Sequence, residues 1–193
     1  NIAVLYRMNA QSRVIEESFL RHAIPYVLIG GTKFYDRKEI KDILALVRYA
    51  IDNQDQVSRS RLETALGKRR LQNFDQFLGS FPLEQLNSSQ ILESLVKNSG
   101  YLDKLDPKEE EDRKRIENIK ELKSVSVEHQ NILDFLENVA LVQQEYSLSE
   151  KRQQKDDRDG VKLMTLHSSK GLEFDMVFLV GFEEGILPHS RSI

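Results

Sequence analysis

Apolar residues first gather in IAVLY, residues 2 to 6, a continuous run of strand length and the pattern of a strand covered on both faces. The next segment, NAQSRVIEESFLRHA, carries good helix formers, with Glu16 and Glu17 early and Arg21 and His22 late. That order suits a helix dipole, and Asn9 is predicted as the N-cap. Pro25 ends the helix, and YVLIGG supplies a second short strand closed by two glycines. Asp36 followed by Glu39 predicts a capping box. Ile40, Ile43, Leu44, Val47 and Ile51 then recur at helical spacing, the mark of an amphipathic helix.

From about residue 51 strand signals vanish and helical pieces broken by polar joints take over: 60 to 66, 72 to 78, 89 to 99, 108 to 129 and 133 to 146. In the stretch 108 to 129, Ile116, Ile119 and Leu122 draw a thin apolar stripe on a charged rod. SEKRQQKDDRDG, residues 149 to 160, has no apolar residue and reads as an exposed linker. Strand character returns in VKLM (161 to 164) and MVFLVGF (176 to 182), which flank the polar stretch TLHSSKGLEFD. Neither run could bury itself alone, so the tail is predicted to join the sheet begun by IAVLY and YVLIG. The fold class is then α/β, with an all-helical insertion.

At 193 residues the chain can form one domain of ordinary size or two small ones. No apolar run approaches the roughly 20 residues needed to span a bilayer. The apolar N-terminal segment lacks a basic lead-in and a small-residue cleavage site, so it reads as a core strand. Cysteine is absent, which excludes disulfides, thiolate catalysis and cysteine-based metal sites. A cytoplasmic location fits. The net charge of -3 hides an uneven distribution: residues 1 to 50 hold eight Lys/Arg against five Asp/Glu, and residues 101 to 160 hold eleven against sixteen. A nucleic-acid partner would therefore meet a local basic surface, while the alternative reading of these charges is solvated helix faces.

The four histidines, His22, His129, His167 and His189, stand alone with no HxxxH spacing, so no metal site is expected. Ser168 and Ser169 beside Lys170 do not make SxxK, and GxSxG is absent, which argues against a seryl hydrolase. Two polar loops remain. YRMNAQSR, residues 6 to 13, lies just past a strand and would place Tyr6, Arg7, Asn9, Gln11 and Ser12 at the carboxyl end of the sheet, where open α/β sheets hold ligands. The loop from Thr165 leaves the equivalent end of its own strand, so the two could share one crevice. Arg offers a fixed fork of donors to phosphate, and Tyr offers a flat face to a base. The alternative has Tyr6 in the core, Arg7 in a surface ion pair, and Asn9 and Ser12 as caps. Nothing in the chain reads GxxxxGK[ST], the loop whose amides cradle nucleotide phosphates.

YRMNAQSRVIEE, GGTKFYDRKEIKDIL and VKLMTLHSSKGLEFDMVFLVGFEEGILPHSR resemble, in order, motif IV, the segment after it, and motif V of superfamily 1 DNA helicases of the UvrD/Rep type. The resemblance is strong at both ends and weak in the middle. It implies a RecA-like parallel-sheet domain, 2A, incomplete here and interrupted by a helical domain, 2B. Residues 1 to 50 and 161 to 193 would be 2A, and 51 to 160 the 2B-like insertion. ATP and Mg²⁺ would be the cofactors, with the metal ligands on domain 1A of the same protein, outside this chain. The partners implied are single-stranded and junction DNA, domain 1A, and repair or replication proteins, with no membrane.

By the same resemblance Tyr6 matches the aromatic that stacks on adenine, and Arg7 the catalytic arginine that reaches the γ-phosphate. Glu173 matches the acid that bonds the ribose. Thr165, His167, Ser168 and Lys170 match the part of motif V beside the DNA strand, where the Gly171 turn lets the backbone approach closely. Gly30, Gly31, Phe34 and the helix from Arg37 look mostly structural. Relatives carry a basic hairpin with a Gly-Ile-Gly turn for duplex DNA; ALGKRRLQNF keeps Lys68, Arg69 and Arg70 but lacks that turn, and an exposed helix start is its plain alternative. The resemblance implies an ATP-dependent 3′ to 5′ DNA helicase or translocase in repair or plasmid replication. The chain alone is expected to be inactive, because Walker A, Walker B and motif VI are absent from it. The rival expectation is a non-catalytic DNA- or protein-binding module.

Overall fold

The computed structural model describes residues 1 to 153 and 160 to 181. Part of the expected linker (154 to 159) and the tail from residue 182, with EEGILPHSR and His189, lie outside the described residues. The chain forms two compact units, Asn1–Phe34 with Leu141–Ile193, and Tyr35–Ala140.

The first unit is built on four parallel strands, β1 (Ile2–Tyr6), β2 (Tyr26–Leu28), β3 (Val161–Thr165) and β4 (Met176–Leu179), in the order β2-β3-β1-β4. Strands from opposite ends of the sequence thus lie side by side, as the apolar runs predict. Helix α1 (Ser12–Arg21) connects β1 to β2. Alternate residues of the strands point to opposite faces. Val4, Tyr6, Tyr26 and Leu163 pack with Ile15, Phe19 and Leu20 on one side, and Ala3, Leu5 and Met164 pack with Leu166 and Phe174 on the other. β4 departs from the expectation of a core strand: it lies at one edge of the sheet among the described residues, and Met176 and Phe178 on one face (51% each) and Val177 on the other (49%) are half exposed.

The second unit is helical: α2 (Lys38–Ile51), α3 (Gln56–Leu66), α4 (Lys68–Leu78), α5 (Ser88–Asn98), α6 (Glu110–Val127) and the first half of α7 (Ile132–Gln153). The division falls at Phe34 and Ala140 rather than near residues 50 and 160. The reason lies in α2. It packs against α3, α5 and α6, so Leu46 and Ala45 are buried along with Ile40, Ile43, Leu44 and Val47, and only Ile51 of the predicted stripe is exposed. A helix buried on nearly every side is the centre of its own core, not an appendage of the sheet. α7 runs on to Gln153, so helix replaces the first part of the expected linker.

Two predicted caps are not formed. Asn9 lies inside a 3-10 turn, Asn9–Gln11, ahead of α1. Arg37, not Asp36, is the N-cap of α2; Asp36 pairs with Lys41 at 2.7 Å. Glu39 is occupied elsewhere, because buried Asn118 takes a bond from Arg37 Nη1 (2.7 Å) and donates from Nδ2 to Glu39 Oε1 (2.6 Å). A second buried group of polar side chains joins α2, α3 and the turn after α5. Tyr101 Oη donates to Asp42 Oδ2 at 2.8 Å, and Arg61 Nε lies 2.8 Å from Asp42 Oδ1 as a charge contact rather than an aligned hydrogen bond. No described helix is long and apolar enough to cross a membrane.

Candidate nucleotide and DNA site

Parallel pairing sets the candidate site. Tyr6 lies in register with Thr165, so the loops after β1 and β3 leave the sheet side by side. Leu166 N–H donates to Tyr6 C=O at 2.9 Å, which carries the pairing one residue past the strand end. The loop from Thr165 then coils into a tight turn. Thr165 Oγ1 accepts from Ser168 N–H at 3.1 Å and shares a hydrogen bond with Ser168 Oγ at 2.9 Å. Ser169 N–H donates to Thr165 C=O at 3.1 Å, and Ser169 Oγ donates to Leu166 C=O at 2.9 Å. The hydroxyls of Thr165 and Ser168 therefore hold the turn, while His167 and Lys170 stand exposed.

The loop after β2 closes on the same turn. Gly30 has φ +70°, and a Cβ there would sit 3.2 Å from Ser168 Oγ, so a side chain would be strained and would crowd that hydroxyl. The loop after β1 is tied by Gln11, whose Oε1 accepts from the Arg7 N–H (3.0 Å) and the Met8 N–H (2.9 Å). Arg7 itself is exposed, and among the described residues its guanidinium has no hydrogen-bond or ion-pair partner. Glu173 is likewise exposed and unpaired among them. The arrangement is a tied backbone presenting exposed cationic and polar side chains at one end of a sheet, suited to a polyanion.

Some expected site residues are placed otherwise. Tyr6 is only 2% exposed and packs with Val4, Tyr26 and Leu163, so its ring is a core element and presents no open face for a base. Ser12 is fully buried and donates from Oγ to Glu16 Oε1 at 2.6 Å, which removes it from the loop cluster. Gln11, read from sequence only as one polar group of the cluster, is the residue that ties it. Its signal was spacing: a long amide three and four residues after two loop N–H groups is placed to cap them. Lys68, Arg69 and Arg70 lie in the helical unit, all exposed, on the first turn of α4. Cations there oppose the helix dipole. Among the described residues Lys68 pairs loosely with an acid, Glu63, at 3.9 Å.

For a nucleotide the fit is partial. Arg7 and Glu173 offer groups of the right chemistry for phosphate and ribose, Tyr6 offers no adenine face, and no group of three or more metal-binding side chains occurs among the described residues. Elsewhere, in the helical unit, an open cavity of about 470 Å³ is lined by Tyr49, Asp52, Arg59 and Asp75. Its polar groups are spent on one another: Arg59 donates to Tyr49 Oη, which donates to Asp75 at 2.8 Å. Burial, reinforced by Asp75, pushes the Tyr49 phenol up from its ordinary value. That cavity lacks the free donors of the loop cluster.

Comparison with known proteins bears on what such a cluster serves. The UvrD-like helicase C-terminal domain family matches residues 1 to 87 and 70 to 193. The whole chain is 36% identical, over 241 aligned positions, to the ATP-dependent DNA helicase PcrA of Staphylococcus epidermidis, and covers 32% of it. The PcrA proteins of Bacillus subtilis and Staphylococcus aureus are 35% and 34% identical, with the same coverage. The chain thus spans about a third of the length of these relatives, and the aligned span exceeds its own length, so they carry residues with no counterpart here.

Proposed function

We propose that this chain, which belongs to the UvrD-like helicase C-terminal domain family, supplies the second half of an ATP site and part of the single-stranded DNA track in an ATP-dependent DNA helicase. The observation that carries the proposal is the pairing of Tyr6 with Thr165, which sets exposed Arg7 beside the turn bearing His167 and Lys170. Residues 1 to 34 and 141 to 193 would then be domain 2A, and the helical unit a 2B-like insertion. The chain has no GxxxxGK[ST] run, so the phosphate cradle and the Mg²⁺ ligands would come from another domain of a longer protein. ATP bound there supplies the phosphoryl group and the free energy of the cycle.

Arg7 reaches the γ-phosphate and stabilises charge on the transferring group. Glu173 accepts from the ribose hydroxyls. Tyr6, held in the core, fixes the base of the Arg7 loop, and stacking on adenine would require its ring to be uncovered. His167 and Lys170 follow DNA phosphates from the turn that Thr165 and Ser168 hold beside the strand, and Lys68, Arg69 and Arg70 meet duplex DNA at a junction. Translocation is proposed to run 3′ to 5′, in repair or plasmid replication.

Affinity for DNA tests the track. Binding of the chain to single-stranded and hairpin DNA is expected to weaken steeply with salt, with log K falling by about 0.9 per phosphate neutralised on duplex and about 0.7 on single strands. Lys68, Arg69 and Arg70 changed together to Ala should lower the hairpin slope by about 2.7, leaving the single-strand slope in place. Salt-insensitive binding, or none to either DNA, contradicts the proposal.

A further inference from the structure

Gln11 bridges two loops at the end of the sheet. Its carbonyl oxygen accepts from the N–H groups of Arg7 and Met8, at 3.0 and 2.9 Å. Its own N–H donates to Met8 C=O at 3.0 Å, so side chain and backbone together close the loop after β1 from both sides. The amide nitrogen of the same side chain faces the residue after β4's continuation: Val180 N–H donates to Leu5 C=O at 3.0 Å, and a Cβ at Gly181 would overlap the Gln11 amide. Gly181 also has φ +69°, where side chains are strained. The amide is thus wedged between the backbone that carries Arg7 and the backbone that follows β4.

We infer that Gln11 is a positioning residue that fixes the direction in which Arg7 leaves the sheet, with Gly181 keeping the space its amide needs. The inference rests on the reading of Arg7 as a phosphate-binding arm. The chemistry follows from what Arg7 lacks. Its side chain meets no partner among the described residues, so the aim of the arm depends on its backbone alone. A loop N–H without its acceptor is free to rotate, and displacement of a catalytic group by about 1 Å is enough to cost roughly 10²-fold in a reaction that depends on alignment. Gln suits the post better than Glu in charge, because a carboxylate at that place would draw the Arg7 guanidinium back toward the loop.

The experiment uses the 193-residue chain, inorganic tripolyphosphate as the anion probe, and ¹⁵N NMR. Gln11→Ala is expected to speed hydrogen exchange at the Arg7 and Met8 amides about tenfold, leaving Leu5 and Leu163 unchanged, and to weaken the tripolyphosphate-induced shift of the Arg7 Nε–H signal about fivefold. Gln11→Glu retains two acceptor oxygens and should keep both amides protected; Gln11→Asn, one methylene shorter, should not. Unchanged exchange in Gln11→Ala overturns the inference. Should Gln11→Ala fail to fold, the Glu and Asn pair makes the same comparison, and failure of all three to fold makes Gln11 a core residue and overturns the inference too. If tripolyphosphate leaves Arg7 unmoved in the unaltered chain, the phosphate-arm reading fails, while the exchange rates still decide whether Gln11 ties the loop.

Discussion

Replacing Arg7 by Ala in the helicase proposed above is expected to lower the kcat of its proposed DNA-stimulated ATP hydrolysis by about 10³-fold, the loss typical of an arginine that stabilises a phosphoryl transition state. The expectation follows from a cation held at the backbone, free at the guanidinium, and standing beside the turn from Thr165. KM for ATP should move by less than about tenfold, because the missing contact is one made mainly in the transition state. Arg7→Lys should not restore the rate, since an ammonium is a point charge and cannot bind two phosphate oxygens as a planar fork does. Steady-state kinetics of the three proteins check this. A kcat for Arg7→Ala within about tenfold of the unaltered protein would remove Arg7 from the reaction.

The second large effect concerns stability. Asp42 is 2% exposed, accepts from the Tyr101 phenol at 2.8 Å, and has Arg61 Nε at 2.8 Å. Asp42→Ala strands the buried Tyr101 hydroxyl and the guanidinium of Arg61, whose side chain is 35% exposed. The expected loss is about 3 kcal/mol, the low end for breaking a buried pair because Arg61 can turn toward water. Urea unfolding followed on the helical unit should show the midpoint falling by about 1 M or more. The same site sets an alkaline limit. Burial, then the charge of Asp42, hold the Tyr101 phenol far above its ordinary value of 10.0. A raised folded-state pKa favours the protonated form, so this contribution is complete below the unfolded pKa and is lost as pH climbs beyond it. Stability should therefore fall above about pH 10, by about 1.4 kcal/mol per pH unit for one such group.

The sheet was legible in the sequence because its inner strands are written as apolar runs, unbroken in IAVLY and interrupted only by Lys162 in VKLM. IAVLY and VKLM become the neighbouring β1 and β3 although more than 150 residues separate them. Burial on both faces needs such runs, and a run too short to bury itself must find another. α2 was legible as a helix but not as a centre. A stripe at helical spacing says which face is apolar, and Ala45 and Leu46 were outside that stripe yet are buried. What decides this is the number of neighbours, which local periodicity does not encode.

Caps fared worse for a related reason. Asp36 and Glu39 have the spacing of a capping box, but Glu39 bonds to Asn118, nearly eighty residues on. A buried partner outcompetes a local one when it satisfies two charged groups together. At the candidate site, the register of Tyr6 with Thr165 follows from the strand runs, and with it the adjacency of the two polar loops. Tyr6 shows the limit of residue type as a guide: a tyrosine at a strand end serves equally as a base platform or as core, and packing against Tyr26 and Leu163 makes it core here. The local tie of Gln11 to the Arg7 and Met8 amides was written in its spacing, whereas its place against Gly181 was hidden, because only the sheet order brings the loops after β1 and β4 together.

Polyanion binding at the sheet end that carries Arg7 and the turn from Thr165 is open to direct observation. The most direct measurement is a ¹⁵N NMR titration of the chain with a single-stranded oligonucleotide at low salt. Signals of Arg7, His167 and Lys170 are expected to shift together and to return as salt is raised. Shifts confined to other surfaces, with these three unmoved at saturation, would contradict binding there.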